Sequence, residues 1–292
     1  MSTRIAPPTP GERLLRDLPA PAKLNLFLHV VGRRDDGYHL LQSVFALVDW
    51  CDTLSLCLRD DGHIQRIDTT TTLPTDDLCV RAAKRLQALT GTHQGVDITL
   101  NKQLPMQAGL GGGSSDAATT LIALNRLWQL GLSRTQLIAL GAELGADVPF
   151  FIGGHNAWVE GIGERLQALS LPPRLVTIVK PPQGVSTLEI FRHPDLKRDT
   201  NPATMADFAG SRGDSSPYTF GRNDLQPLAT RQCPAIQQCI DWLESKKLAA
   251  RMSGSGSAVF AVHTVPIDVS DAPSDWVVRQ TCIMDAHPLL DW

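Results

Sequence analysis

Residues 105–116 decide the fold class, and they read PMQAGLGGGSSD. Four glycines and two serines stand directly before a run with helical apolar spacing. Glycine lets the backbone turn tightly and lets amide groups approach a ligand without a Cβ between them. The first turn of a helix adds unpaired N–H groups and the positive end of the helix dipole. The segment therefore predicts an anion-binding loop, with the hydroxyls of Ser114 and Ser115 available to phosphate oxygens or to Mg²⁺.

Two known phosphate motifs do not fit this loop. A Walker A motif requires a lysine after the glycines, and none follows. A dinucleotide fingerprint requires a strand running directly into the glycines and an acid about 20 residues on. Eight residues separate Leu100, the end of a predicted strand, from Gly109, and residues 129–135 contain no Asp or Glu. A glycine-rich helix entry without a ligand is the third interpretation, and the entropy cost of so many glycines disfavours it.

Length and composition narrow the class of protein. A chain of 292 residues predicts about two domains. Hydrophobic residues at 42% and charged residues at 20% are typical of a globular protein rather than a fibrous or disordered one. The net charge of −3 argues against nucleic-acid binding through bulk positive charge. Local groups must therefore capture any anionic ligand.

The cysteines and the N-terminal residues bear on the compartment. No two cysteines form C-x-x-C, and no histidine lies near them at metal-ligand spacing. Their even number leaves a disulfide framework open, but isolated reduced thiols are favoured. The first twenty residues contain four prolines and no apolar core of a signal peptide, and no apolar run approaches the length of a membrane span. We therefore expect a cytoplasmic protein.

Periodicity and capping signals predict mixed strands and helices. Because they lack regular βαβ alternation, the class predicted is α+β rather than a doubly wound sheet. Predicted strands cover residues 24–31, 43–50, 53–58, 96–100, 176–180 and 258–263. Predicted helices cover residues 75–91 (capped by Thr75), 114–130, 134–144 and 235–247. The predicted organisation is a flexible N-terminal arm at 1–20, a first domain at 21–170, and a second at 171–292 with a loop-rich stretch at 193–222.

The glycine loop resembles the phosphate loop of the GHMP kinase superfamily. The likeness continues in PAKLNL at 21–26, RRDDGYH at 33–39 and LGADVPFF at 144–151, and then in short matches at 198–200, 223–225 and 254–257. It covers roughly residues 20–265, and it departs at Gln107, where the family more often has glycine. The resemblance implies a two-domain α+β GHMP kinase fold, with an N-terminal ribosomal-protein-S5-like ATP domain and a C-terminal ferredoxin-like domain.

The resemblance also implies ATP-dependent phosphorylation of an alcohol, with Lys23 and Asp147 as the catalytic pair. Such a reaction needs a carboxylate that accepts the proton of the alcohol, and a lysine that keeps the carboxylate charged and screens the transferred group. The implied cofactor is ATP with Mg²⁺, for which Ser115 is the candidate ligand and no carboxylate is assigned. The implied ATP-binding residues are Pro105, Met106, Gln107, Ala108, Gly109, Leu110, Gly111, Gly112, Gly113, Ser114 and Ser115.

Within the superfamily, the motifs resemble those of kinases acting on a cytidine-diphosphate-linked sugar alcohol. A pyrimidine ring can stack between Tyr38 and Phe191, at about 1 kcal/mol for each contact, and His39 can hydrogen-bond the cytosine edge. The expected partner is thus a small-molecule substrate, with no nucleic acid and no membrane. The implied substrate-binding residues are Asn25, Tyr38, His39, Lys102, Thr187 and Phe191.

Simpler interpretations exist for the individual residues. Alone, Lys23 suits a surface lysine, and Asp147 suits a turn that enters a short apolar strand. The second Gly/Ser run, at residues 252–258, suits a plain turn, or a loop that shapes the phosphate pocket. Two other functions stay open. One is a GHMP kinase for a small alcohol such as homoserine or a mevalonate derivative, and the other is a non-catalytic nucleotide sensor with the same fold.

Overall fold

The structure is a computed structural model, which describes residues 4–210 and 217–292. The strands, in chain order, are β1 (Leu14–Arg33), β2 (His39–Arg59), β3 (Ile64–Asp68), β4 (Gly95–Asn101), β5 (Ala157–Glu160), β6 (Arg165–Ala168), β7 (Leu175–Lys180), β8 (Ala250–Met252), β9 (Val259–His263) and β10 (Val277–Cys282). The helices are α1 (Leu78–Thr90), α2 (Gly112–Leu127), α3 (Arg134–Leu144), α4 (Val148–Gly153), α5 (Thr187–Arg192), α6 (Met205–Gly210), α7 (Gln226–Gln232) and α8 (Pro234–Ser245).

The first sheet has the strand order β3-β4-β2-β5-β6, and β1 also pairs with β2. Strands β4 and β5 pair with different parts of β2, and β1 pairs along nearly its whole length. The strands β1 and β2 form a long antiparallel hairpin, and β3 pairs with β4 in parallel. Apolar residues of β2 and β4 pack against α1, α2, α3 and α4 in one core. Helix α2 lies at its centre, and twelve of its residues are buried. The glycine loop therefore begins a helix that the core holds in place.

The second sheet is antiparallel throughout, in the order β10-β7-β9-β8. One face packs against α8 through Ile236, Ile240 and Leu243. The other face packs against the first sheet, where Val176 and Ile178 share a core with Leu24 and Leu26 of β1. The strand β1 thus lies where the two sheets pack together. Two separate sheets, each with helices packed on it, confirm the predicted α+β class.

The C-terminal residues return to the first half. The Met284 N–H donates to Leu47 O at 2.8 Å, and Leu289 is fully buried in the first core. The chain passes from one sheet to the other between β6 and β7, but the division into 21–170 and 171–292 stays a prediction. Among the described helices, none is both long enough and apolar enough to cross a membrane.

Several element predictions are confirmed, and the capping box before α3 is one. The Ser133 side chain accepts from Gln136 N, and the Gln136 side chain accepts from Ser133 N. The strand predicted at 96–100 is β4, and the helix predicted at 235–247 is α8 within two residues. The strands predicted at 43–50 and 53–58 join into the single strand β2. All six cysteines are free, as the interpretation as isolated thiols expects.

Three local predictions are wrong. Residues 14–20 belong to β1 rather than to a flexible arm, because Leu15 and Leu18 are buried in the first core. Helix α1 begins after Asp77 rather than Thr75, since the Asp77 carboxylate accepts from Val80 N. Asp147 leads into helix α4 instead of a strand.

Candidate active site

A cavity of about 670 Å³ lies where strands β1 and β2 of the first sheet meet both glycine loops and helix α5. Lys23 and Asp147 line this central cavity, and Lys23 Nζ lies 3.4 Å from Asp147 Oδ2. The Lys23 side chain is only 5% exposed, whereas the Asp147 side chain is 30% exposed. The structure therefore brings the two predicted catalytic residues together, with the ammonium on the floor of the cavity and the carboxylate open to it.

The position of Lys23 follows from its place on β1. Its backbone N–H donates to Leu110 O at 2.9 Å, which joins the strand to the first glycine loop. Its Nζ donates to Asn25 Oδ1 at 2.5 Å and lies 4.2 Å from the centroid of the Phe45 ring. A cation over an aromatic face is electrostatically stabilised. These contacts hold the ammonium in one position beside Asp147.

Asn25 is held in turn by β2 and by the second glycine loop. Its Nδ2 donates to Ser43 Oγ at 3.0 Å, and its backbone N–H donates to Ser253 Oγ at 3.1 Å. Ser43 is not among the residues predicted from the sequence, because its position opposite β1 becomes visible only with the register of the β1–β2 hairpin.

The Asp147 carboxylate does not cap the helix that follows it. The residue precedes α4 with helical backbone angles (φ −86°, ψ −15°), and its side chain makes no capping hydrogen bond. Pro149 stands in the first turn of α4, where a missing N–H costs nothing. Asp147 is thus placed by the backbone while its oxygens remain available to accept a proton.

The first glycine loop needs glycine where other backbone or side chains approach it closely. A Cβ on Gly109 would lie 2.2 Å from Ser253 O, and one on Gly111 would lie 3.0 Å from Lys23 Cγ. Both residues also have positive φ, at 71° and 72°. Gln107 adopts a φ of 51° in the same loop. The residue that departs from the family pattern thus occupies a conformation that favours glycine.

The second glycine loop, residues 252–258, packs on the first. Ser253 Oγ donates to Gly109 O at 3.0 Å, and the Ala258 N–H donates to Ala108 O at 3.1 Å. Asn223 Nδ2 donates to the carbonyls of Met252 and Gly254, at 2.8 Å each. The second loop is therefore part of the wall of the central cavity rather than an isolated turn.

A second hollow, of about 500 Å³, lies on the other side of the first glycine loop. The loop residues 104–114 line it together with Leu78 of α1. Gly109, Gly111 and Ser114 line both this nucleotide-side hollow and the central cavity. Ser115, in contrast, is fully buried, lines neither space, and its Oγ has no hydrogen-bond partner.

Lys102 lies beside the nucleotide-side hollow, away from the other predicted substrate residues. Its Nζ donates to Asp52 Oδ2 and to Asp116 Oδ2, the latter at 2.7 Å, and both carboxylates are at most 2% exposed. Asp52 Oδ1 also accepts from the Leu104 N–H at 2.8 Å, where the loop begins. Burial lowers the pKa of Lys102, but the two carboxylates outweigh burial and raise it. We call Lys102, Asp52 and Asp116 the loop brace.

A third hollow, of about 740 Å³, lies at the opposite end of the central cavity. Tyr38, His39 and Phe191 line this base-side hollow, and Tyr38 is 60% exposed. The His39 and Phe191 ring centroids lie 5.2 Å apart with 35° between the ring planes. Thr187 lines both the base-side hollow and the central cavity, and its Oγ1 lies 2.6 Å from Ser255 Oγ.

The three spaces form a row, because each shares lining residues with the next. The nucleotide-side hollow stands at one end, the pair Lys23 and Asp147 in the middle, and the base-side hollow at the other end. Apart from Lys102, the predicted substrate residues lie along the last two spaces. Arg198 is not among the predicted site residues, and its Nε donates to His39 Nε2 at 3.1 Å although the two residues are 159 positions apart.

Comparison with known families agrees with this arrangement. Residues 77–155 match the family described as "GHMP kinases N terminal domain", and residues 205–272 match "GHMP kinases C terminal". A solved homoserine kinase from Cytophaga hutchinsonii shares the fold, with a TM-score of 0.68 at 16% identity over 97% of this chain and 98% of that chain. The chain is therefore a GHMP kinase, an ATP-dependent enzyme class, as the resemblance implied.

Closer relatives narrow the family. The curated protein of Delftia acidovorans named "4-diphosphocytidyl-2-C-methyl-D-erythritol kinase" is 59% identical over 285 residues, covering 96% of this chain and 98% of its own. The relative of the same name from Acidovorax ebreus is 57% identical and covers 95% and 98%. A crystal structure of 4-(cytidine 5'-diphospho)-2C-methyl-D-erythritol kinase has a TM-score of 0.77 at 34% identity, over 91% and 98%. The chain belongs to the family of 4-diphosphocytidyl-2-C-methyl-D-erythritol kinases.

Proposed function

We propose that the protein transfers the γ-phosphoryl group of ATP to the 2-hydroxyl of 4-diphosphocytidyl-2-C-methyl-D-erythritol, giving the 2-phosphate and ADP. The reaction belongs to non-mevalonate isoprenoid precursor biosynthesis. The observation that carries the proposal is the row of three spaces with Lys23 and Asp147 at its centre. One end of the row suits a nucleoside triphosphate, the other end suits a pyrimidine, and the reacting groups meet between them.

ATP occupies the nucleotide-side hollow in this proposal. The amide groups of residues 109–115 and the N-terminus of α2 supply hydrogen-bond donors and a positive dipole end to its phosphates. Gly109, Gly111 and Ser114 face both this hollow and the central cavity, so the γ-phosphate extends past them toward Lys23. The backbone of the loop thus binds the nucleotide without a lysine from a Walker A motif.

The chemical step uses Asp147 as the base and Lys23 as the positive charge. The acceptor hydroxyl gives its proton to a carboxylate oxygen of Asp147, while its oxygen forms a bond to the γ-phosphorus and the bond to the β-bridging oxygen breaks. The Lys23 ammonium neutralises charge on the transferred group. Positioning and electrostatics dominate such reactions, so these two fixed groups suffice on the protein side.

The donor atoms of the central cavity fit Mg²⁺ as a companion of ATP. Among the described residues, no cluster of three or more His, Cys, Asp or Glu side chains could hold a metal alone. Mg²⁺ commonly takes one or two protein oxygens together with substrate phosphates. The Ser114 hydroxyl lines the cavity and would hold the ion together with phosphate oxygens of ATP, whereas the buried Ser115 would not. When bound, the ion neutralises charge on the phosphates.

The cytidine ring of the acceptor occupies the base-side hollow. Phe191 and Tyr38 offer aromatic faces, and His39 lies against Phe191 within hydrogen-bond reach of a stacked base. The diphosphate then lies near Thr187 and the second glycine loop, where both hydroxyls of the Thr187–Ser255 pair are exposed. We further propose the cytoplasm as the compartment, which six free thiols suit.

The experiment that tests this function is a coupled ADP-release assay with the cytidylyl acceptor, homoserine and mevalonate phosphates as separate substrates. We expect turnover with the cytidylyl acceptor alone. Asp147→Asn should lower kcat by about 10²- to 10⁴-fold, while ATP binding measured by calorimetry stays at the wild-type value. The control is Asp241→Asn, which changes an exposed carboxylate on α8. Wild-type turnover of Asp147→Asn would remove Asp147 as the base, and turnover of homoserine instead would replace the proposed substrate.

A further inference from the structure

The base-side hollow contains a side chain that the proposed mechanism leaves unused, and this is Arg198. Its Nε lies 3.1 Å from His39 Nε2. Its two Nη atoms donate to backbone carbonyls at 2.8 to 3.4 Å, namely those of Phe191, His193, Pro194 and Leu196. Because these carbonyls orient the guanidinium, its Nε–H bond already points at His39 before any ligand binds.

This contact determines which nitrogen of His39 carries hydrogen. A guanidinium has only donors and no acceptor. His39 Nε2 must therefore accept, and the hydrogen of the neutral imidazole is then on Nδ1. Burial, followed by the positive charges of Arg198 and Arg33, lowers the pKa of His39, so the ring is neutral at physiological pH.

The Nδ1–H group is what His39 retains for a ligand. Within the described parts of the chain, Nδ1 has no hydrogen-bond partner, and it is not among the buried polar atoms that lack one. The ring lies against Phe191 and lines the hollow. The hollow therefore offers a bound base a stacking surface and, from this side chain, a donor rather than an acceptor.

We propose that Arg198 is a specificity-determining positioning residue, which holds His39 in its Nδ1–H form and so makes the hollow select cytosine over uracil. The inference rests on the proposed function, because the base is taken to be that of the cytidylyl acceptor. Cytosine presents acceptors at N3 and O2, whereas uracil carries hydrogen on N3. In this proposal the His39 Nδ1–H group faces the N3 position, where cytosine accepts and uracil presents a second donor, which leaves a desolvated N–H group unpaired. The O2 atom accepts in both bases and does not discriminate between them.

The first test compares kcat/KM for the cytidine- and uridine-diphosphate-linked acceptors. Arg198→Met removes the donors and keeps an apolar stem, so we expect the cytidine-to-uridine ratio to fall about tenfold, the size of one such hydrogen bond. The control is Arg192→Met, which removes the same charge from the same hollow without touching His39. That control should leave the cytidine-to-uridine ratio unchanged. His39→Ala, which lacks the imidazole, should give the lowest ratio of the variants. A wild-type ratio in Arg198→Met would overturn the inference.

The second test observes the imidazole directly, by ¹⁵N NMR of histidine-labelled protein with His39 assigned through His39→Ala. We expect hydrogen on Nδ1 in the wild type and an additional Nε2–H form in Arg198→Met. If Arg198→Met does not fold, the wild-type spectrum alone decides, and hydrogen on Nε2 overturns the inference. Absence of wild-type turnover with the cytidylyl acceptor would contradict the proposed function instead, while the spectrum would still test the role of Arg198.

Discussion

The two lysines of the site, Lys23 and Lys102, have nearly equal burial and opposite surroundings. Lys23 faces one carboxylate, that of Asp147, which is 30% exposed and lies 3.4 Å away. Lys102 lies between two carboxylates that are at most 2% exposed, and it donates hydrogen bonds to both. The charge of Lys102 is fully balanced within the protein, whereas that of Lys23 is balanced by one partly exposed carboxylate, as the proposed role at a transferred phosphoryl group requires.

In the proposed mechanism, this difference makes Lys23 a catalytic group and Lys102 a group that stabilises the fold. Removing one member of a buried ion pair leaves an uncompensated charge and is strongly destabilising. A carboxylate that water reaches, such as Asp147, loses much less when its partner is removed. We therefore expect substitutions of Lys23 to alter turnover and substitutions of Lys102 to alter stability.

The largest effect should follow Lys23→Met, which keeps the volume and removes the ammonium. We expect kcat to fall about 10²- to 10³-fold, the usual loss of one electrostatic group at a phosphoryl or acyl centre. The free energy of unfolding should fall by only about 1 kcal/mol, because Asn25 loses one hydrogen-bond donor. Initial rates and urea unfolding measure the two quantities. A stability loss of several kcal/mol would contradict the assignment of Lys23 to catalysis.

Lys102→Met should show the reverse pattern. Asp52 and Asp116 would remain buried without their cation, so the free energy of unfolding should fall by about 3 to 5 kcal/mol. The matched variant is Lys102→Met combined with Asp52→Asn, which removes the stranded charge and should recover part of the loss, since Asp116 is the carboxyl that holds a proton. Thermal and urea unfolding of the three proteins give the comparison. Equal stability of the single and double variants would show that Asp52 is not part of the loop brace.

How far the sequence predicts these two lysine sites depends on the range of the interactions. The glycine loop and the capping box before α3 are local, and both follow from residues a few positions apart. Lys23 and Asp147 are 124 positions apart, so only the family resemblance joined them before the structure did. Asp52 and Lys102 come together because Thr53 pairs with Asn101 in the β2–β4 ladder, and that register is not visible in either strand alone.

The wrong local predictions also have physical causes. The prolines of the first twenty residues suggested a flexible arm, but Pro19 lies in β1, whose ladder in the first sheet is with β2 alone, and an edge strand tolerates a residue that lacks an N–H group. Asp77 caps α1 in preference to Thr75 because its carboxylate also pairs with Arg66 at 2.6 Å. In both places a contact with a distant part of the chain decided between two locally acceptable structures.

The smallest expected effect is a pH dependence of stability, which tests the electrostatics of the loop brace directly. Burial, together with the charge of Asp52, raises the pKa of Asp116, and Lys102 offsets this only in part. The native carboxyl therefore keeps its proton at pH values where the unfolded carboxyl, with an ordinary pKa of 3.8, has lost it. The native state binds more protons in that window, so this contribution to stability is complete below about pH 4 and is lost as the pH rises through the native pKa.

Asp116→Asn cannot titrate and supplies the measurement. Urea unfolding of both proteins between pH 5 and 8 should give a wild-type stability that declines relative to the variant as the pH rises, by at most about 1.4 kcal/mol for each pH unit. Asp241→Asn, at an exposed position on α8, should follow the wild-type slope. A stability difference between the wild type and Asp116→Asn that stays constant from pH 5 to 8 would contradict this, because it would mean that Lys102 keeps both carboxylates ionised. The loop brace would then carry a net negative charge beside the loop that we propose binds ATP, and the charge of Lys102, unlike that of Lys23, would be fully balanced within the protein.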